Sequence, residues 1–306
     1  MASIYIAQCY VKTYIDEIQR QLALNMVTIV SEEEAEKLLS SIKIPPRPAV
    51  IVEINREKSK EEPDLRRIAQ IVSKDIALTA SLLKTANSPF FGLRTKVENV
   101  QQAAMTMGLN NVLSIVTGLA IKNAVKTKEL DMERFWDSAE KVANVAAYLS
   151  KRVPGVPKEL AYMYGLFRDC GIPLMLQKFP DYIETLKKAN AGSKSDFTRL
   201  EDDTHATNHA TIGYLLAKSW SLPNPICQAL LNHHDISILH SDDNISAEAR
   251  GLIAIIRFAE FLCDTRQMQN DHDWDESGPV VLAYLGITED ELSDIKDAVF
   301  QYQEED

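Results

Sequence analysis

The chain has 306 residues, 45% of them hydrophobic, which is enough to bury a core without disulfide or metal staples. Its 33 basic and 44 acidic residues leave a net charge of -11, which repels a phosphate backbone and argues against nucleic-acid binding. The four cysteines, Cys9, Cys170, Cys227 and Cys263, form no CxxC pair and read as reduced, mostly buried thiols of a cytoplasmic protein. The start "MASIYIAQCYVK" lacks a cationic leader, and no apolar run reaches the roughly 18 residues of a membrane span, so a soluble chain without membrane contact is expected.

Along the chain the dominant period is helical. Val11, Ile15, Ile18 and Leu22 fall on one face of a first amphipathic segment, and Ser31 with Glu34 reads as a capping box ahead of "AEKLLSSI". That apolar stripe is expected to pack on the rest of the chain or on a second copy of it, giving a homodimer. The prolines of "IPPRP" (Ile44 to Pro48) break the pattern. Beyond them, Pro63 suits the first turn of "DLRRIAQIVS", Asp75 suits the cap of "IALTASLLKTAN", and Asn87-Ser88-Pro89 stops that helix. Helices are then predicted at "NVQQAAMTM", "NNVLSIVTGLAI", "MERFWDSAEKVANVAAYLSKR", "KELAYMYGLFRD" and "DYIETLKKAN". Two more follow at "SAEARGLIAIIRFAEFLCD" and, after a second capping box of Thr288 and Glu291, at "EDELSDIKDAVFQYQ". "TRQMQNDHDWDESGP" reads as a polar loop and "QEED" as a solvated end. No stretch alternates with period two, so the fold class is all-α.

Five of the six histidines, His205, His209, His233, His234 and His240, fall within one third of the chain. On one helix His205 and His209, four apart, would face the same way, as two zinc ligands do. The glutamate of a metalloprotease HExxH is missing between them. The plainer reading is the start of a helix with one buried and one exposed histidine. In "NHHD" the consecutive pair His233 and His234 point about 100° apart on a helix, so that one faces inward and the other meets solvent.

"IPPRPAVIVEI", "LLKTANSPFFG" and "VENVQQAAMTMGLNNVLSIVTGLAI", followed by "FWDSAEKVANVAAYLS", "YGLFRDCG", "HATIGYLLAKSWSLP" and "ICQALLNHHD", resemble in order and spacing the HDOD domains, relatives of the HD metal-dependent phosphohydrolases. The resemblance covers about Leu38 to Asp264. It implies a multi-helical HD-like bundle with an N-terminal helical subdomain, divided here into an extension at 1–30, a front subdomain at 31–128 and an HD-like subdomain at 129–306. In the catalytic relatives, imidazoles and aspartates hold divalent ions that activate water and polarise a phosphoester. Carried onto this chain, the first histidine falls at Ser138 and the His of His-Asp at Arg168. Asp169, His209, His233 and His234 match retained positions, and Glu260 stands about where a later aspartate would be. A guanidinium has no lone pair for a metal, and at an effective dielectric of about 20 it costs several kcal/mol some 4 Å from a divalent ion. The expectation is therefore a site without metal or cofactor. Arg168 either neutralises Asp169 and Glu260 as a built-in counterion or points to solvent from a helix end. The resemblance implies a non-catalytic bacterial signal-transduction module that binds a signalling protein or a small anionic ligand. The alternative is a phosphohydrolase or cyclic-nucleotide phosphodiesterase that uses Asp169, His209, His233 and His234 in an altered shell.

Overall fold

The structure is a computed structural model that describes residues 42, 44–125, 131–191, 196–240, 245–264 and 272–305. Among the described residues every regular element is a helix. The chain falls into two compact units, Met1–Ile44 and Pro45–Asp306, and every described helix belongs to the second. The expected stripe at Val11 to Leu22 and the capping box at Ser31 lie outside the described residues. Among the described residues the helices before 126 and after 130 pack on one another.

The front of this unit is built from α1 (Ala49–Lys58), α2 (Leu65–Ser73), α3 (Ile76–Ala86), α4 (Val100–Met107) and α5 (Leu109–Ala124). Local chemistry sets their starts. The Asp64 carboxylate accepts from the Arg66 and Arg67 amides, Asp75 from Leu78 N, and Asn99 from Gln102 N. Pro63 therefore precedes the cap, where its missing N–H costs nothing, and does not occupy the first turn. Helix α1 was not foreseen: "AVIVEI" reads as an ambiguous apolar run, and burial of Ile51 and Ile54 decides for helix. After α3 the chain turns on Asn87, whose side-chain amide donates to Val97 O at 2.8 Å while its oxygen accepts from Val97 N at 2.8 Å. That reciprocal pair closes the "NSPFFG" loop like a short piece of ladder.

The rear carries α6 (Met132–Leu149), α7 (Lys158–Phe167), α8 (Gly171–Lys178), α9 (Tyr182–Ala191), α10 (Phe197–His205), α11 (His209–Ser219), α12 (Asn224–Asn232), α13 (Ala247–Asp264), α14 (His272–Leu285) and α15 (Glu289–Glu305). Helix α7 is the axis. Every residue from Ala161 to Phe167 is buried, so it is covered on all sides, by α5, α6, α12 and α13. Its two tyrosines tie it in both directions: Tyr162 OH lies 3.3 Å from Thr85 Oγ1 on α3, and Tyr164 OH donates to Ala229 O on α12 at 3.2 Å. Pro45 and Arg47 also bind front to rear. Trp220 Nε1 donates to Pro45 O at 2.9 Å, and Arg47 Nη2 donates to Ser219 O at 3.0 Å and Ser221 Oγ at 2.6 Å.

One expected loop is helical. From residue 272 the stretch read as polar runs as α14, with Pro279 inside it. Packing overrides composition here: the Trp274 ring stacks on Phe261 with centroids 4.0 Å apart, and Ser277 is buried against Arg257. The second capping box forms as read, with Thr288 N donating to Glu291 Oε2 at 2.9 Å and Glu291 N to Thr288 Oγ1 at 3.3 Å. Cys170 and Cys227 are buried and Cys263 is partly so.

Two glycines set how closely the axis can be approached. A Cβ on Gly165 would sit 2.7 Å from Ala143 Cα, and one on Gly171 would sit 2.0 Å from His209 O. The start of α8 is thus pressed against the start of α11, backbone to backbone. Gly171→Ala must push these helices apart, and we expect a loss of about 2–3 kcal/mol or more in urea unfolding, the scale of overpacking in a filled core. Unchanged stability would mean the contact relaxes freely.

Candidate functional site

Four helix ends and one helix face meet around the α7–α8 corner. Arg168 caps α7 in helical geometry, its N–H bonded to Tyr164 O, and Asp169 and Cys170 lead directly into α8. His209 opens α11 behind the Asn208 cap, and His233 closes α12. Glu260 and Arg257, one turn apart, come from α13.

Arg168 is only 8% exposed. Its Nε lies 2.6 Å from Glu260 Oε1 and 3.2 Å from Asp169 Oδ2, and its Nη1 donates to Gly165 O at 2.7 Å. Arg257 Nη1 holds the other oxygen of Glu260 at 3.0 Å. Of the two readings of Arg168, the counterion geometry is the one present: a buried guanidinium between two carboxylates. Burial disfavours its cation, but Asp169 and Glu260 outweigh burial and raise its pKa above the ordinary arginine value. Burial would likewise raise the Asp169 carboxyl, yet the guanidinium, helped by His233, holds it well below the usual carboxylate range.

On the far side of Asp169 stand three imidazoles. His209 Nε2 is 3.2 Å from His233 Nε2 and 3.1 Å from His234 Nε2, and Asp169 Oδ1 lies 3.7 Å from His233 Nε2 and 3.9 Å from His209 Nε2. The His209 ring is held from behind by Glu201, whose Oε2 accepts from Nδ1 at 2.7 Å and from the backbone N–H at 3.2 Å. Glu201 is fully buried, and its other oxygen accepts from Tyr182 OH. His233 Nδ1 donates to Leu230 O at 2.8 Å. Burial disfavours the His209 cation, and the adjacent Glu201 carboxylate reverses this, raising its pKa.

Several sequence expectations change. His205 and His209 are not on one helix, because Ala206 adopts a left-handed conformation (φ 56°) that ends α10 at His205. Both are buried, so neither is the exposed partner. His205 Nε2 instead pairs with Thr185 Oγ1 at 2.9 Å. His233 and His234 do not diverge; the end of α12 lets both turn toward His209. Ser138 is exposed on α6, while the buried face of that helix carries Ala139, Val142 and Ala143, so it does not join the cluster. His240 is exposed. Glu201, Tyr182 and Arg257 were missed. For Arg257 the three-residue spacing to Glu260 was readable. For Glu201 the signal was its spacing of four from Phe197 and from His205, which puts all three on one face, hidden within the acidic run "LEDD".

The donor set divides in two. Between Asp169 and Glu260 a divalent ion does not fit, because the guanidinium is already there and Ser138 offers no ligand. The three imidazoles are suited to holding an ion. The HDOD domain family matches residues 44–236, and the chain belongs to that family. It is 25% identical over 235 residues to an uncharacterized Treponema pallidum (strain Nichols) protein, covering 74% of this chain but 44% of that one, so it spans less than half the length of that relative. Its fold is similar to that of a provisionally assigned phosphohydrolase from Shewanella amazonensis SB2B, with TM-score 0.66 and 22% identity over 86% of this chain and 93% of the other. It is also similar to an HDOD domain protein of unknown function from Geobacter sulfurreducens, with TM-score 0.59 and 20% identity over 88% of this chain and 99% of the other. A provisionally assigned signal transduction protein from Marinobacter aquaeolei VT8 has TM-score 0.58 and 20% identity, covering 94% of this chain and 65% of the other.

Two predictions follow from the charges. Arg168→Met leaves Asp169 and Glu260 without their shared cation and should cost about 3–5 kcal/mol in denaturant unfolding. Adding Asp169→Asn to it should restore part of the loss, and strict additivity of the two changes would show that no coupling exists. The second concerns Asp202, next to Glu201. Burial, opposed by its Asn208 hydrogen bonds, pushes its pKa up to about 6 from 3.8. Since the folded value is the higher one, the folded chain holds a proton there that the unfolded chain releases. Stability from this group is present below about pH 4 and is lost as pH rises through about 6. Asp202→Asn should therefore flatten the stability profile between these values by on the order of 1–2 kcal/mol. An unchanged slope would assign that window to other groups.

Proposed function

We propose that this HDOD chain is a non-catalytic regulatory module of bacterial signal transduction that works by binding a signalling protein. The observation that carries the reading is Arg168 Nε standing between Asp169 and Glu260, 3.2 Å and 2.6 Å from their oxygens. Hydrolysis of a phosphoester by an HD-type centre needs a cation at that place with an open position for water and phosphate. A guanidinium supplies the charge but neither a coordination position nor a means of lowering the pKa of water. The same pairing bears on ligand class. Both guanidiniums of the corner are committed to carboxylates, and Glu201 adds a third carboxylate nearby, so a small anion would meet no surplus of positive charge. A protein partner on the helical surface fits better than a small anionic ligand. No described helix is long and apolar enough to cross a membrane.

The phosphohydrolase reading draws on a different observation, the convergence of His209, His233 and His234 beside Asp169. The two readings separate in one assay. The purified full chain, supplied in turn with manganese, magnesium, iron or zinc, is offered cyclic dinucleotides, cyclic mononucleotides and nucleotides. We expect no turnover above that of Asp169→Ala. Robust turnover that disappears in both Asp169→Ala and His234→Ala would establish the enzyme and end the regulatory reading.

A further inference from the structure

We infer that Arg94, Lys96, Lys151, Arg152 and Lys158, gathered where the "NSPFFG" loop meets the connection between α6 and α7, form a docking face for an acidic segment of a signalling protein. The loop turn Pro89–Phe91 packs on α6. Helix α6 ends at Leu149, and the turn Ser150–Arg152 carries two cations back over its last ring: Lys151 Nζ and Arg152 Cζ lie 5.5 Å and 5.2 Å from the Tyr148 centroid. Lys158, the first residue of α7, sets its Nζ 5.6 Å from the Phe91 centroid. Gly92 joins the two. It follows Phe91 in a left-handed conformation (φ 61°), and a Cβ there would stand 3.5 Å from Lys151 Nζ, so the loop offers bare backbone to the ammonium. Chain continuity keeps the Arg94 Cα within about 7 Å of that of Gly92. Lys96 precedes Val97, which Asn87 pins from both its N–H and its carbonyl. Four of the five cations are exposed and Lys158 is half-buried. The ring faces beneath them are electron-rich and hold the cations in place.

Charge gives the face its sign. The chain as a whole carries -11, and other lysines find carboxylates, as Lys74 does at Glu53, Lys122 at Glu140 and Lys187 at Glu184. Among the described residues none of these five cations is in an ion pair. Glu291 stands near Arg152 but is taken up by Thr288, from whose N–H and hydroxyl it accepts at 2.9 Å. Burial and the Lys151 ammonium lower the Lys158 pKa below the ordinary lysine value, and the neighbouring Glu159 only opposes this.

The occupant follows from what the face lacks. Phe91 and Tyr148 are 2% and 9% exposed beneath their cations, so neither stacking on bases nor insertion into a bilayer is open to them. The net negative charge around the patch also repels a long polyanion or an anionic membrane. A lone small anion would meet mostly exposed, hydrated cations, each of which contributes little by itself. Several carboxylates on one polypeptide segment engage several of them together and exploit complementarity for specificity and rate of encounter. The face lies at the opposite end of α7 from Arg168, about 15 Å along the helix. This inference rests on the regulatory reading, and peptide titration tests it separately: a chain with neither turnover nor peptide binding loses the face and keeps that reading.

The test uses the full chain and a fluorescent peptide of alternating glutamate and serine, with its glutamine counterpart as the uncharged probe. By anisotropy at about 50 mM salt we expect the glutamate peptide to bind, the glutamine peptide not to bind, and the affinity to fall at least about 10-fold at about 500 mM salt. Lys151→Glu with Lys158→Glu, and separately Arg94→Glu with Lys96→Glu, should each weaken binding at least about 10-fold, with the melting temperature of the second pair unchanged. Lys187→Glu with Lys188→Glu, which changes the net charge equally at two exposed positions of α9, should leave binding within about 2-fold. An equal loss in that pair would reduce the effect to net charge and overturn the face. No binding of the glutamate peptide at low salt would overturn it too, and tighter binding to phosphatidylserine vesicles or duplex DNA would overturn the acidic segment as its occupant.

Discussion

A guanidinium buried between two carboxylates is the constraint around which this unit is arranged. Asp169 and Glu260 come from different helices, and Glu260 is further held by Arg257. Without Arg168 the two acidic groups would stand in a poorly solvated corner with one cation for both, and one of them would have to take up a proton or move to water. With it, the corner of α7 and α8 is fixed to α13 by bonds whose geometry is planar and directional, as arginine provides and lysine does not. Such a pair need not add net stability relative to an apolar filling, because desolvation offsets much of the attraction. What it does is define which residues face one another.

That definition depends on how closely the helices approach. The approach is set by the absence of side chains at Gly165 and Gly171, where a Cβ would meet Ala143 Cα and His209 O at 2.7 Å and 2.0 Å. The second contact brings the first residue of α11 against the residue that follows Asp169-Cys170, and so places the His209 ring beside the Asp169 carboxylate. The site is thus a consequence of backbone packing around α7, whose every residue from Ala161 to Phe167 is buried. Side-chain chemistry then acts on a geometry already decided.

Much of this could be read from the residues. Helical periodicity and the caps at Asp75 and Thr288 placed elements correctly because both are local, resting on contacts three or four residues apart. The family resemblance singled out Arg168, Asp169, His209, His233, His234 and Glu260, and these six side chains do meet at one corner. What failed was non-local or depended on one backbone angle. His205 and His209 separate because Ala206 turns left-handed, which no periodicity announces. Helix α14 forms through a stacked pair of rings contributed by two helices, which overrides a polar composition and an internal proline. Glu201 went unseen because a buried carboxylate among neighbouring acids looks solvated until its partners, Tyr182 and His209, are known.

The two halves of the site differ in what can change their charge. In the arginine half the carboxylates push the guanidinium pKa above its already high ordinary value, and the guanidinium pulls Asp169 far below its own. Neither group changes charge at any pH a cell reaches, so that half is fixed. In the imidazole half Glu201 raises the pKa of His209, whose Nε2 faces His233 Nε2 at 3.2 Å. A proton gained or lost by His209 therefore changes the charge of this half. Asp169 joins the two, with one oxygen on the guanidinium and the other toward the rings, and any change on the imidazole side reaches α7 and α13 through a group that cannot respond by changing its own charge. A corner made in this way holds its helices on one side through groups of fixed charge, while His209 on the other side can gain or lose a proton.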